Sequence, residues 1–167
     1  MKKIFLFFLT FALVSSSLEA QETRHAKRKA REKAKIEEIR NLAGNRELRF
    51  LAQTALPMGG SPIHLTSEYT LDIEADKVTS FLPYFGIAYS AEYGGGEGGI
   101  KFSEIARKIT WKESKKGFET EMEIRSPKDL YIMRLSFSLT GYANLDVSSN
   151  NRQSIHFTGI IIKKKTD

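Results

Sequence analysis

The chain has 167 residues, enough for one domain with a real core. It holds no cysteine, which excludes disulfides, thiol nucleophiles, thiolate metal sites and a lipid-modified lipoprotein. The net charge of +6 is uneven, because residues 21–40 hold eight Lys or Arg against four Glu while the body that follows is close to neutral.

The start reads as a signal peptide over residues 1–20. Lys2 and Lys3 precede an apolar run at 4–14, and small residues follow at Ser15, Ser16, Ser17 and Ala20. That run is too short to span a bilayer comfortably. Cleavage is expected after Ala20. Leu18 is a poor residue two before that site, so cleavage after Ser17 is the alternative, and an uncleaved anchor is the other reading of the segment. Export follows, with the periplasm as the expected address and secretion beyond it left open. Nucleic acid is not an expected partner of an exported chain.

Residues 21–41 read as helix. Ala26, Ala30 and Ala34 recur every four residues among Lys, Arg and Glu, all good helix formers, and Gly44 is the expected stop. Its apolar side is thin until Ile36, Ile39 and Leu42. Arg24, Lys27, Arg28, Lys29, Arg31, Lys33 and Lys35 form a dense basic run. Such a run either contacts anionic lipid headgroups or an acidic envelope partner, or stays solvated as a tether. The expected organisation is a signal peptide (1–20), a basic helical tether (21–44) and a β domain (45–167).

From Glu47 the apolar period falls to two. A first strand is expected at 47–55 and a second at 68–74, where Tyr69, Leu71 and Ile73 alternate with polar residues. A third runs over 78–89, bending at Pro83 to Gly86, and a short one follows at 100–103. Ile105, Ile109 and Trp111 mark the next. After the Lys115-Lys116-Gly117 turn, Phe118, Thr120, Met122 and Ile124 alternate with Glu119, Glu121 and Glu123. Ser126-Pro127-Lys128-Asp129 suits a turn, and strands follow through Leu135, Leu145 and Phe157 to Ile162. Eight or nine sequential strands joined by short turns make an antiparallel meander. It either curls into an up-and-down barrel of about eight strands or packs as two sheets; the strand lengths and scarcity of long crossovers favour the barrel. The basic helix is expected outside the barrel or across one end.

The richest stretch in aromatics and glycine is 79–102. Within it, Leu82-Pro83-Tyr84-Phe85-Gly86-x-Ala88-Tyr89 is followed by Gly98-Gly99-Ile100-x-Phe102. These two motifs, in this order and followed by a run of strands, resemble an exported bacterial family, the domain-of-unknown-function 4251 family, from about Glu47 to the C-terminus. The resemblance implies an exported protein with a lipocalin-like barrel. It implies no activity and carries over no catalytic residue.

Tests for chemistry return little. Gly94, Gly96 and Gly99 formally match G-x-G-x-x-G, but strand rather than helix is expected after them, and Glu97 repels phosphate. His25, His64 and His156 lack metal-ligand spacing. Asp72, Glu74 and Asp76, like Glu119, Glu121 and Glu123, read as the wet side of a sheet rather than a calcium site. His156 near Asp146 has no nucleophile attached to it by pattern. No cofactor and no metal is expected. Tyr84, Phe85, Tyr89 and Tyr93 beside the glycine loop either pack a core or line a barrel mouth that binds a small apolar or amphipathic ligand. The expectation is a non-enzymatic binder. The alternatives are an interaction module attached through the basic helix and an enzyme with an unrecognised acid–base site.

Overall fold

The computed structural model describes residues 2–89, 99–127 and 129–164, with side chains from Arg24 onward. Among these residues one helix, α1 (Lys2–Asn45), precedes nine strands. They are β1 (Glu47–Pro57), β2 (Ile63–Glu74), β3 (Lys77–Pro83), β4 (Gly99–Ile105), β5 (Lys108–Ser114), β6 (Gly117–Arg125), β7 (Leu130–Ser138), β8 (Tyr142–Ser149) and β9 (Ile155–Ile162). The strands form one antiparallel sheet, ordered β4-β3-β2-β1-β9-β8-β7-β6-β5 and curled into a half-barrel.

The parity of that sheet explains its count. With nine strands of alternating direction, the first and last point the same way. These are β4 and β5, which only Ala106 and Arg107 separate in the chain. β5 therefore continues the line of β4, and the pair acts as one long strand that leaves β3 and joins β6. At the switch, the Ala106 N–H donates to Asp76 O and the Arg107 N–H to Glu123 O, both at 2.8 Å. Adjacent amides thus bind opposite ends of the sheet. Counted this way, the sheet is the meander of about eight strands that the turn spacing predicts. Side chains bridge the seam: the rings of Phe102 on β4 and Tyr131 on β7 stack at 5.2 Å.

Alternation buries one face. Met122 and Ile124 on β6, Met133 and Leu135 on β7, Leu145 on β8 and Phe157 on β9 are all inaccessible to solvent. With Phe50, Leu71, Val78 and Leu82 from the other half they form the buried core. Gly159 lets β9 approach β1, since a Cβ there would lie 2.1 Å from Leu51 O.

Several expected boundaries move. The helix continues through Gly44 to Asn45 and stops where Arg46 takes φ 55° and returns its N–H to Ala43 O at 3.2 Å. β2 begins at Ile63 rather than 68, because the ladder resumes at Thr54↔His64 after an irregularity past Ala52↔Tyr69 that breaks the period-two pattern. The strand expected over 78–89 ends at Pro83, whose ring removes the next ladder donor. Ile105, expected in the following strand, ends β4 and is exposed.

The helix lies across one end. Residues 24–34 are exposed on every side, and only the last turns pack, burying Ile39, Leu42 and Ala43. Ile39 Cδ1 and Lys35 Cε close over Gly141 at the β7–β8 turn. The tether of the sequence reading is thus a docked helix end carrying an exposed basic segment.

Candidate functional site

The end of the barrel away from the helix carries the aromatic motif. After Pro83 the chain leaves the sheet but is pinned to the β8–β9 turn. Ala88 forms a bridge with Arg152, the Tyr89 N–H donates to Asn151 O at 2.8 Å, and the Gln153 N–H donates to Ile87 O at 3.1 Å. The Tyr84 hydroxyl serves the carbonyls of Ile87 (2.9 Å) and Gln153 (3.0 Å), which share its one proton. Arg152 lies over the Tyr84 ring, 5.2 Å from its centroid, and its Nη1 donates to Gly99 O at 3.0 Å. A Cβ on Gly86 would sit 2.6 Å from the Tyr84 hydroxyl, so a larger residue there would push the Tyr84 ring. Burial raises the Tyr84 phenol above its ordinary pKa, and the Arg152 cation only partly offsets this.

This latch holds an apolar display. Phe85, Ile87 and Tyr89 are 37%, 63% and 67% exposed on a backbone tied at several points. The display continues onto the outer face, where Phe81, itself half-exposed, stacks on Tyr69 at 5.8 Å and lies 4.9 Å below Lys101 Nζ. Of the four aromatics singled out in the sequence, Tyr84 is therefore the fastener, whereas Phe85 and Tyr89 are presented. Tyr93 lies outside the described residues, as do Gly94, Gly96 and Glu97.

The second candidate group sits at the opposite end. Arg24, Lys27, Arg28, Lys29, Arg31 and Lys33 are exposed, and Lys35 is half-buried with its ammonium 3.1 Å from Glu38. The structure does not bring these residues near the aromatic rim. Around the docked helix end lie two clefts. One, of about 410 Å³, has Leu42, Leu48 and Ile73 as its apolar wall and balances Glu47 and Glu74 against Lys163 and Lys164.

Of the two carboxylate rows, Asp72, Glu74, Glu119, Glu121 and Glu123 are ion-paired. Asp72 departs from the expected wet face: it is buried beneath Arg49, which binds both its oxygens at 2.6 and 2.8 Å, with Lys164 3.6 Å away. Lys164 also bonds Glu74, which raises its pKa. Glu121 pairs with Arg134 at 2.8 Å, and that hydrogen bond holds its carboxyl below the usual range. His156 Nδ1 lies 2.8 Å from Asp146 Oδ1, its direct neighbour in the β8–β9 ladder. Among the described residues no group of three His, Asp or Glu side chains is placed to hold a metal ion.

Sequence reading missed Arg152 and Gln153, which looked like ordinary turn residues. Their role depends on the Tyr84 loop, 69 residues away from Gln153, and no local pattern announces that contact.

The profile of a domain of unknown function (DUF4251) matches residues 30–161. The crystal structure of a DUF4251 family protein from Bacteroides eggerthii aligns with a TM-score of 0.60 at 13% identity, covering 78% of this chain and 88% of that one. At that identity the likeness concerns the fold alone. No curated protein matches the chain.

Proposed function

The chain belongs to the DUF4251 family, and from that premise we propose that it is an exported, non-enzymatic binding protein that takes an amphipathic ligand on the aromatic rim rather than inside the barrel. The observation that carries this reading is the pairing of exposed Phe85, Ile87 and Tyr89 with a backbone fixed by Tyr84 and Arg152. Apolar side chains on a pre-set loop lose little entropy on binding. The exposed apolar side chains lie on the rim, whereas those facing inward are buried in the core. Lys101 and Arg152 supply cations beside the apolar surface, which suits a ligand with an acidic or polar head.

The test is native mass spectrometry of the protein produced with its own leader, with solvent extraction of whatever it retains. A stoichiometric amphipathic molecule in the wild type, lost in Phe85→Ser/Tyr89→Ser, supports the rim. A molecule retained equally by both, or a clean apo mass for the wild type, counts against it. Fractionation of the producing cells checks the address.

A second reading rests on the basic segment. Six cations project from helix turns that pack against nothing among the described residues, as attachment to an anionic membrane requires. Flotation with vesicles containing phosphatidylglycerol tests it: binding that collapses between low and moderate salt, and in a chain lacking residues 21–34, supports attachment, and salt-independent or absent binding excludes it.

A further inference from the structure

A third cleft, of about 390 Å³, lies on the outer wall of the sheet beside the β5–β6 and β7–β8 turns. Two rows of the ladder build it. Ser114, Gly117 and Ser138 stand opposite one another in the first. Lys112, Glu119, Ser136 and Asn144 do so in the second, and Tyr142 shares the face of Asn144 two residues along β8. All of these residues line the one cleft. It is hollow because its floor is serine and glycine. β6 and β7 approach so closely at Gly117 that a Cβ there would lie 2.0 Å from Phe137 O, so no side chain can fill the space.

Its walls carry unspent bonding capacity. Tyr142 stands at one side, 72% exposed. The Ser136 hydroxyl and the Asn144 amide make no side-chain hydrogen bond to another described residue, so their donors and acceptors are free for a ligand. Lys112 and Lys116 also line the cleft, and neither ammonium is ion-paired among the described residues. The one carboxylate, Glu119, is already drawn to Arg134 at 3.6 Å, which leaves the cleft cationic. Phe118 and Phe137, which alternate to the inner face and stack on each other at 5.4 Å, border it from beneath. A protein interface centres on a buried apolar patch, whereas here short polar groups surround one exposed ring.

We propose that this cleft binds an acidic saccharide, through a pyranose unit that carries a carboxylate. A pyranose has an apolar C–H face and a rim of hydroxyls. The C–H face rests on the Tyr142 ring, the hydroxyls exchange hydrogen bonds with Ser136 and Asn144, and the carboxylate turns to Lys112 and Lys116. The site is separate from the aromatic rim and does not depend on it.

The full chain, isotope-labelled and followed by amide NMR, is titrated with oligogalacturonate, oligomannuronate and a hyaluronan tetrasaccharide. Maltotetraose and tricarballylate serve as the neutral sugar and the sugar-free polyacid. Saturable shifts confined to residues 112–119 and 136–144 are expected with at least one acidic sugar, at higher affinity than with either control. Tyr142→Ala should weaken that binding about tenfold, and Tyr142→Phe, which keeps the ring, should stay within about threefold of wild type. Lys112→Gln/Lys116→Gln should also weaken it about tenfold, as loss of charge-assisted contacts does. All three side chains are exposed, so the thermal midpoint should not move. The absence of saturable shifts with all three acidic sugars overturns the proposal, as do shifts that map to the aromatic rim, equal affinity for tricarballylate, or wild-type affinity in Tyr142→Ala. Equal affinity for maltotetraose, or wild-type affinity in the double-Lys variant, overturns the assignment of a carboxylate to the ligand.

Discussion

Arg49 and Asp72 face each other across the β1–β2 ladder, and the guanidinium holds both carboxylate oxygens in a fork while the carboxylate is 5% exposed. Removing one partner leaves a buried charge. Arg49→Met should therefore destabilise the fold by about 2–3 kcal/mol, with Lys164 limiting the loss. Arg49→Met/Asp72→Leu should recover most of it. Urea midpoints at unchanged m-value check both; equal loss in the single and double variants would falsify the account.

Gly159 answers to a different constraint. A methyl group there meets the Leu51 carbonyl at 2.1 Å, and Phe50 Cε2 lies 3.0 Å away. Relief requires β1 and β9 to part at the centre of the sheet. Gly159→Ala should cost about 3 kcal/mol or more, as severe overpacking does, read as a lower thermal midpoint.

Tyr84 predicts a response to alkali. Its folded pKa lies above the unfolded value of about 10. The folded state thus holds the phenolic proton more tightly, and this contribution is complete below the unfolded value and lost as pH rises through the folded one. The stability difference between wild type and Tyr84→Phe should be constant from neutral pH to about 9 and then shrink. A difference that stays flat to pH 11 would remove the latch from the account.

Much of this architecture was legible in the chain. Phe118 to Ile124 alternate cleanly because β6 has one buried and one wet face, and the Ser126–Asp129 turn carries its own polar caps, with Asp129 accepting from Ser149 at 2.5 Å. The lost boundaries lie where the period fails. β2 starts in an irregular stretch, and the Ala106–Arg107 switch leaves no mark in sequence because both halves look like separate strands. Of the candidate site, composition singled out Phe85 and Tyr89, which are exposed, but the division of labour between Tyr84 and its neighbours needs Arg152, brought in by tertiary pairing. Likewise the burial of Asp72 breaks the alternation rule, because Arg49 and Lys164 cover an outward-facing carboxylate.

The two halves of α1 should respond oppositely to mutation. Ile39→Ala removes a fully buried side chain from the docked turns and should cost about 3 kcal/mol. Lys27→Glu/Lys29→Glu, on exposed turns, should leave the thermal midpoint within about 2 °C and, on the membrane reading, abolish vesicle flotation. A large stability loss in the charge-reversed chain would mean that the exposed turns pack on something after all.

The central position of β1 has a kinetic corollary. β1 is bounded by β2 on one side and by β9, the last strand of the chain, on the other. Until Ile162 has been synthesised, half of its ladder has nothing to pair with, and the nascent polypeptide lacks the contact that joins the two wings of the sheet. High contact order of this kind makes folding slow and late. The sequential hairpins of each wing can form as the chain emerges, and β9 acts as the closing step that joins the two wings.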